Sequence, residues 1–202
     1  MKKKLQAALE YLSQQDLVLA EIIARVGPCT ITLRKNYYQA LVNSIIAQQI
    51  SVSASRSIRN KFMELIDQNL EPESVLPYSI LQLRSAGLSI QKATYIHDLS
   101  LKFAQNKAVY NHPGRFSDEE VIKKLTDVKG IGVWTAQMFL IFSLGRLDVL
   151  PLDDVGFRNA VHLHYNIKSI PSKKRLERLA EKWKPYRSVA VWYLWQAVDK
   201  QP

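Results

Sequence analysis

Cysteine is almost missing from this chain of 202 residues: Cys29 is its only one. A lone thiol closes no internal disulfide and cannot carry a four-cysteine metal or iron–sulfur centre. A reducing interior is the expected home. Histidine is also sparse, at four. His162 and His164 stand two apart, so on a helix they face different ways and make a poor metal pair, while His97 and His112 stand alone. No metal site is expected. Only 7 glycines and 8 prolines exclude a collagen-like or low-complexity chain. No apolar run approaches the ~20 residues that cross a bilayer. The start, Met1-Lys2-Lys3-Lys4, is similar to a signal-peptide n-region, but Gln6, Glu10, Gln14, Gln15 and Asp16 interrupt the apolar core such a peptide needs. These absences together predict a soluble cytoplasmic protein without a membrane partner.

Acidic residues are also in short supply. Lys and Arg number 28 against 18 Asp and Glu, a formal net charge of +10. Between Phe157 and Arg187, nine basic side chains stand against Glu177 and Glu181. Such a block fits a polyanionic partner, and it also fits a solvated basic face.

What is present is helical patterning. Apolar residues make up 47% and charged ones 23%, enough for a packed core. Spacings of three and four dominate. Tyr38, Leu41, Val42, Ile45, Ile46 and Gln49 trace one helical face. Ala93, Ile96, Leu99 and Phe103 trace another. Ser117 and Glu120 form a capping box. Val133 to Leu144 is apolar nearly all round and is expected to be buried, as is Val189 to Val198 with Trp192, Tyr193 and Trp195. Only Cys29 to Leu33 alternates enough to pass for a short strand. The class expected is all-α, with roughly ten helices and short loops.

Four places carry possible chemistry. In Leu125-Thr126-Asp127-Val128-Lys129-Gly130-Ile131-Gly132-Val133-Trp134-Thr135-Ala136, a capped helix ends, a Gly-x-Gly turn follows, and an apolar helix begins at once. Backbone N–H groups at such a turn, feeding a helix N-terminus, form an anion site. A bare Gly-x-Gly also serves as a tight turn with no ligand. Asp153-Asp154 precedes another expected helix, where one aspartate can act simply as N-cap. Trp134 and Trp195 belong to an aromatic set that, at helical spacing, ordinarily builds core. Gln48 and Gln49 close a helix, as polar termini or as free hydrogen-bonding side chains.

The Gly-x-Gly segment resembles the hairpin of the helix-hairpin-helix DNA glycosylase superfamily. Three further stretches agree in order: Ile46-Ala47-Gln48-Gln49-Ile50-Ser51; Gly87-Leu88-Ser89 with Lys92-Ala93 and Tyr95-Ile96; and Trp183-Lys184-Pro185-Tyr186-Arg187-Ser188-Val189-Ala190 followed by Leu194-Trp195. The similarity runs from about Tyr37 to Trp195 and is nearest to the 3-methyladenine (alkylated-base) branch, without room for the extra N-terminal β domain of some members.

The resemblance implies an all-α, two-lobed helical bundle with a helix-hairpin-helix DNA-binding motif. One lobe of about 36–150 would carry the hairpin, and the N-terminal segment with about 151–202 would form the other. It implies hydrolysis of an N-glycosidic bond on a flipped-out alkylated base, with Asp154 as the catalytic carboxylate: the family's Asp-x-x-apolar spacing pairs Asp154 with Phe157, whereas Asp153 meets Gly156. It places Trp134, Trp195 and Met138 at the base pocket, Met138 standing where some relatives have an aromatic residue. It places Lys129, Gly130, Ile131, Gly132, Thr135, Gln48, Gln49, Arg187 and Ser188 against DNA. Strand-cutting members carry a lysine nucleophile where this chain has Trp134, so monofunctional chemistry is implied. Double-stranded damaged DNA is the implied partner, and the protein is implied to act as a monomer. No cofactor is required, apart from a monovalent cation that hairpin carbonyls can hold. Other lesion classes, or phosphate binding without catalysis, are the alternatives.

Overall fold

The computed structural model describes residues 2–199. Its helices are α1 (Lys2–Gln15), α2 (Leu17–Val26), α3 (Tyr37–Ala47), α4 (Val52–Leu65), α5 (Pro72–Val75), α6 (Ile80–Arg84), α7 (Ile90–Gln105), α8 (Lys107–Tyr110), α9 (Asp118–Thr126), α10 (Val133–Phe142), α11 (Val155–His164), α12 (Lys173–Ala180) and α13 (Arg187–Asp199). Short 3-10 turns cover Pro113–Arg115 and Glu181–Trp183. The class is all-α, and no strand occurs among the described residues. Cys29 to Leu33, which alternates like a strand, runs as irregular chain. Alternation alone makes no strand where no second extended segment offers a ladder to pair with.

Many helix starts are written locally. Asn36, Ser51, Ser79, Ser89, Ser117 and Ser172 each cap a helix by accepting a backbone N–H three residues on. Such a cap contributes ~1 kcal/mol. The Ser117–Glu120 capping box is present with both of its reciprocal bonds.

The chain divides into two compact units. One is Leu33–Leu144; the other joins the segments that flank it, up to Thr32 and from Gly145 onward. In Leu33–Leu144 the expected faces form the core: Tyr38, Leu41, Val42, Ile45 and Ile46 of α3 are buried, as are Ala93, Ile96, Leu99 and Phe103 of α7. The Tyr38 hydroxyl and Ser100 Oγ, 2.7 Å apart, satisfy each other inside it. Two expectations need correction. Gln49 is not on the α3 face, because the helix stops at Ala47 and Gln49 takes a left-handed φ of 56°. Nor is Val133 to Leu144 buried throughout: α10 ends at Phe142, and Val133 and Trp134 at its start are 50% and 46% exposed.

The flanking unit is organised around Asp16. This buried carboxylate caps α2 by accepting from Val18 N and Leu19 N, and its Oδ2 accepts from Tyr165 Oη (2.7 Å), Trp183 Nε1 (2.8 Å) and Lys182 Nζ (3.0 Å). Burial pushes the Asp16 carboxyl up, but the bonds from Tyr165, Trp183 and Lys182 outweigh it and hold the group below its ordinary value. One side chain thus ties the α1–α2 corner to the C-terminal third of the sequence. Trp192 and Tyr193 are buried in α13, as their spacing predicts, and Tyr193 Oη donates to the Gly27 carbonyl at 2.7 Å.

Candidate functional site

The Gly-x-Gly turn leaves α9 after Thr126 and enters α10 at Val133. Its two glycines answer different demands. Gly130 has φ 80°, and a Cβ there would lie within 3.0 Å of three atoms of the Tyr95 ring. Gly132, the N-cap of α10, has φ −91° and nothing within 4 Å of a built Cβ. The fold therefore requires glycine at 130 and leaves 132 open. The apolar Val128 and Ile131 are buried beneath the turn, and Ile131 N donates to the Val128 carbonyl at 3.1 Å. The first N–H groups of an α-helix have no intrahelical acceptor and carry the positive end of its dipole. At α10 they lie beside a glycine with open space, the condition for close approach of an anion. Lys129 is exposed. The Thr135 side chain is buried, so this residue can face a ligand only through its backbone.

The turn is braced from outside. Asp98 Oδ2 accepts from Lys129 N at 2.9 Å, and Gln48 Nε2 donates to the Gly130 carbonyl at 2.8 Å. Lys92 Nζ donates in turn to the carbonyls of Ile46 (2.8 Å) and Gln48 (2.7 Å) at the end of α3. Burial lowers the Lys92 pKa below its usual value. Beyond this anchored glutamine, Gln49 is exposed and left-handed, a conformation that costs a non-glycine residue about 1–2 kcal/mol. Asn43, Ser44, Gln48, Gln49, Trp134 and Met138 line a cavity of about 870 Å³ within this unit. Four of the residues singled out in the sequence thus meet around one space.

In the flanking unit, Asp154 is 8% exposed and caps α11. Its Oδ1 accepts from Phe157 N at 2.6 Å and from Trp195 Nε1 at 2.8 Å. Between them sits Gly156, where a Cβ would come 3.3 Å from Asp154 Oδ1 and 3.4 Å from Trp195 Cδ1. The small residue leaves room for the indole to reach the carboxylate. Asp153 is different in kind: it is exposed and paired with Lys173. Capping and a fixed, buried carboxylate coincide at Asp154 alone of the pair.

Two expected DNA contacts read otherwise. Ser188 is fully buried; its Oγ accepts from Val149 N at 2.8 Å and its own N–H donates to the Leu147 carbonyl. It holds the chain before α11 to the start of α13 and presents no surface to a phosphate. Arg187 grips Asp148 through Nε (2.7 Å) and Nη2 (2.8 Å), so most of its fork is engaged within the protein. Lys92 and Tyr95 lie in a stretch that resembles the family but carry no role there, and Asp98 and Gly156 do not stand out in the sequence as functional residues. The signal for the first three was their spacing of three along one helix. Among the described residues, no group of three or more His, Cys, Asp or Glu is placed to hold a metal ion, and no helix is long and apolar enough to cross a membrane.

A hairpin between two helices, open at Gly132 and backed by an apolar helix, defines a helix-hairpin-helix protein. Residues 42–185 match the HhH-GPD superfamily of base excision DNA repair proteins, and the chain belongs to that superfamily. It is 34% identical over 196 residues to the fission-yeast (Schizosaccharomyces pombe) alkylbase DNA glycosidase-like protein mag2, covering 94% of this chain and 92% of the relative. Among solved structures it resembles DNA-3-methyladenine glycosidase from Bacillus halodurans, with 34% identity, TM-score 0.87, and coverage of 96% of this chain and 89% of the other. It also resembles the S. pombe 3-methyladenine DNA glycosylase solved in complex with abasic DNA, with 30% identity, TM-score 0.80, and coverage of 94% and 95%.

Proposed function

We propose that this protein is a monofunctional DNA glycosylase, acting as a monomer, that flips alkylated bases of the 3-methyladenine type out of duplex DNA and hydrolyses the N-glycosidic bond. The observation that carries the reading is Asp154: a buried carboxylate, fixed by Phe157 N and Trp195 Nε1, at the first helix after the hairpin lobe. The names of the relatives support the substrate class.

In this reading the N–H groups at Gly132 and the start of α10 take a backbone phosphate, with Lys129 adding charge at the rim. Gln49 fills the gap left by the extruded nucleotide. Gln48 is the poorer candidate, because its amide already holds Gly130. Trp134 and Met138 wall the cavity, and the exposed indole offers a π face to a cationic base. The C1′–N bond then breaks with its electron pair passing to the base nitrogen, which neutralises an alkylated purine. Asp154 stabilises the cation that develops on the sugar and orients the incoming water, whose oxygen bonds to C1′ as its proton passes by way of the Asp154 carboxylate to solvent. A monovalent cation at the hairpin would use the second lone pairs of carbonyls such as Val128 and Gly130, each of which already accepts one hydrogen bond.

The test is release of free base from methylated duplex DNA. The wild type should release it, and Asp154→Asn, which keeps an acceptor for the N-cap, should fall at least about 100-fold with DNA binding retained. Strands should stay intact until alkali is added, and Lys129→Ala should still release base. Tight binding with no release by the wild type would refute the alkylated-base assignment. Complete loss of release in Lys129→Ala would refute the monofunctional mechanism.

A further inference from the structure

The face of α7 beside the core carries Lys92, Tyr95 and Asp98 at intervals of three, all half-buried. Residues three apart on a helix form one inclined ridge. Each member of this ridge meets the machinery at a different point. Asp98 accepts from Lys129 N, and the Tyr95 ring lies against Gly130, so together they seat the hairpin. Lys92 reaches elsewhere, to the carbonyls of Ile46 and Gln48. These are C-terminal carbonyls of α3, without an onward helix to pair with, and a cation is the natural partner for that end.

Gln48 is therefore held at both of its polar ends, the main-chain carbonyl by Lys92 and the side-chain amide by Gly130. The next residue is Gln49, left-handed and exposed on the rim of the cavity that holds Trp134. The geometry points to Lys92 as a positioning residue: by fixing the Gln48 carbonyl it locks the α3–α4 turn to the hairpin and presents Gln49 to the gap in the DNA stack. Lys92 touches neither phosphate nor base in this arrangement; it acts through Gln49. The inference rests on the reading of Gln49 as gap-filler given above. It goes further by assigning the ridge two separable tasks, phosphate docking through Tyr95 and Asp98 and gap filling through Lys92.

The experiment uses a duplex with a stable tetrahydrofuran abasic analogue and 2-aminopurine as the opposite base, whose fluorescence reports on what fills the gap. Wild type, Lys92→Met, Lys92→Arg, Gln49→Ala and the Lys92→Met/Gln49→Ala double variant are compared at saturating protein. Base release from methylated duplex and affinity for undamaged duplex are measured alongside. Lys92→Met should lose most of the fluorescence change and about tenfold in base release, the scale expected for losing charge-assisted hydrogen bonds at one turn. Affinity for undamaged duplex should hold within about twofold, because the hairpin keeps Asp98 and Tyr95. Lys92→Arg, which keeps the cation and several donors, should restore most of both signals. In the Gln49→Ala background, Lys92→Met should add little, since the effect passes through Gln49.

Additive losses in the double variant would overturn the proposal, as would an equal fall in base release and in undamaged-duplex affinity. Retention of the full fluorescence change by Lys92→Met would also overturn it. Should Lys92→Met fail to fold, Lys92→Gln, which keeps an amide donor group without the charge, takes its place and must fall between wild type and Gln49→Ala. Failure of the wild type itself to change the 2-aminopurine signal would instead sink the reading of Gln49, independently of Lys92.

Discussion

Replacing each hairpin glycine by alanine separates what the fold needs from what a ligand needs. At Gly130, a Cβ meets the Tyr95 ring at less than 3.0 Å and the backbone sits at φ 80°. The left-handed backbone costs an alanine about 1–2 kcal/mol. Displacing or compressing a packed ring costs about 1–3 kcal/mol more. Gly130→Ala should therefore lose about 2–5 kcal/mol, a fall of about 5–15 °C in Tm for a chain of this size. At Gly132 the φ is −91° and no atom lies within 4 Å of the added methyl. Gly132→Ala should stay within about 1 kcal/mol of wild type, the scale of a changed N-cap residue. Its deficit should appear instead in duplex affinity, about tenfold at fixed salt, because in the proposed function the methyl stands where a phosphate oxygen would approach. Thermal and urea unfolding give the first pair of numbers, and fluorescence anisotropy on a labelled duplex gives the second. A Tyr95→Ala partner should relieve the steric part of Gly130→Ala and leave the dihedral part, a coupling of about 1–3 kcal/mol. Equal Tm values for the two alanine variants would refute the reasoning, and so would a Gly132→Ala protein that binds DNA as well as wild type.

Three other outcomes follow from particular contacts. Trp195→Phe keeps a ring but removes the N–H that donates to Asp154; single-turnover base release should fall by about 10–100-fold, with the protein's Tm changed by only a few degrees. Ser188→Ala leaves the buried Val149 N–H without its acceptor and should cost about 1–3 kcal/mol in urea unfolding, while the salt dependence of DNA binding stays as in wild type. Asp16→Asn should destabilise by about 2–4 kcal/mol at neutral pH, because a buried carboxylate and its donors are mismatched. Since folding lowers the Asp16 pKa from an ordinary value of 3.8, its ionised form contributes fully above that value and is lost as pH falls through the folded-state value; the gap between wild type and Asp16→Asn should narrow in unfolding curves taken below pH 3.8.

The legible parts of the site share a property: their signals are short. The Gly-x-Gly turn, the Asp-x-x-Phe spacing from Asp154 to Phe157 and the Ser117 capping box each close within a few residues. Where a short signal misled, a longer-range contact had prevailed. Ser188 lies in a stretch that resembles a DNA contact, yet Val149, 39 residues away, takes its hydroxyl. Gln49 continues the apolar spacing of α3 on paper. The Lys92 ammonium and the Gln48–Gly130 bond stand where α3 ends, at Ala47.

By itself, the sequence determined the all-α class, many of the helix starts, the core faces of α3 and α7, and the hairpin. These depend on periodicity and on donors and acceptors that lie within one or two helical turns, so the pattern is contained in the segment that forms it. Tertiary structure alone decided the rest: that Trp195 donates to Asp154, that Gly130 is shaped by Tyr95 and Gly132 by nothing in the fold, and that Lys92 and Gln48 reach across 46 and 82 residues to the groups they hold. A hydrogen bond depends on where two atoms meet, and spacing along the chain carries no record of that meeting once the partners sit on different helices.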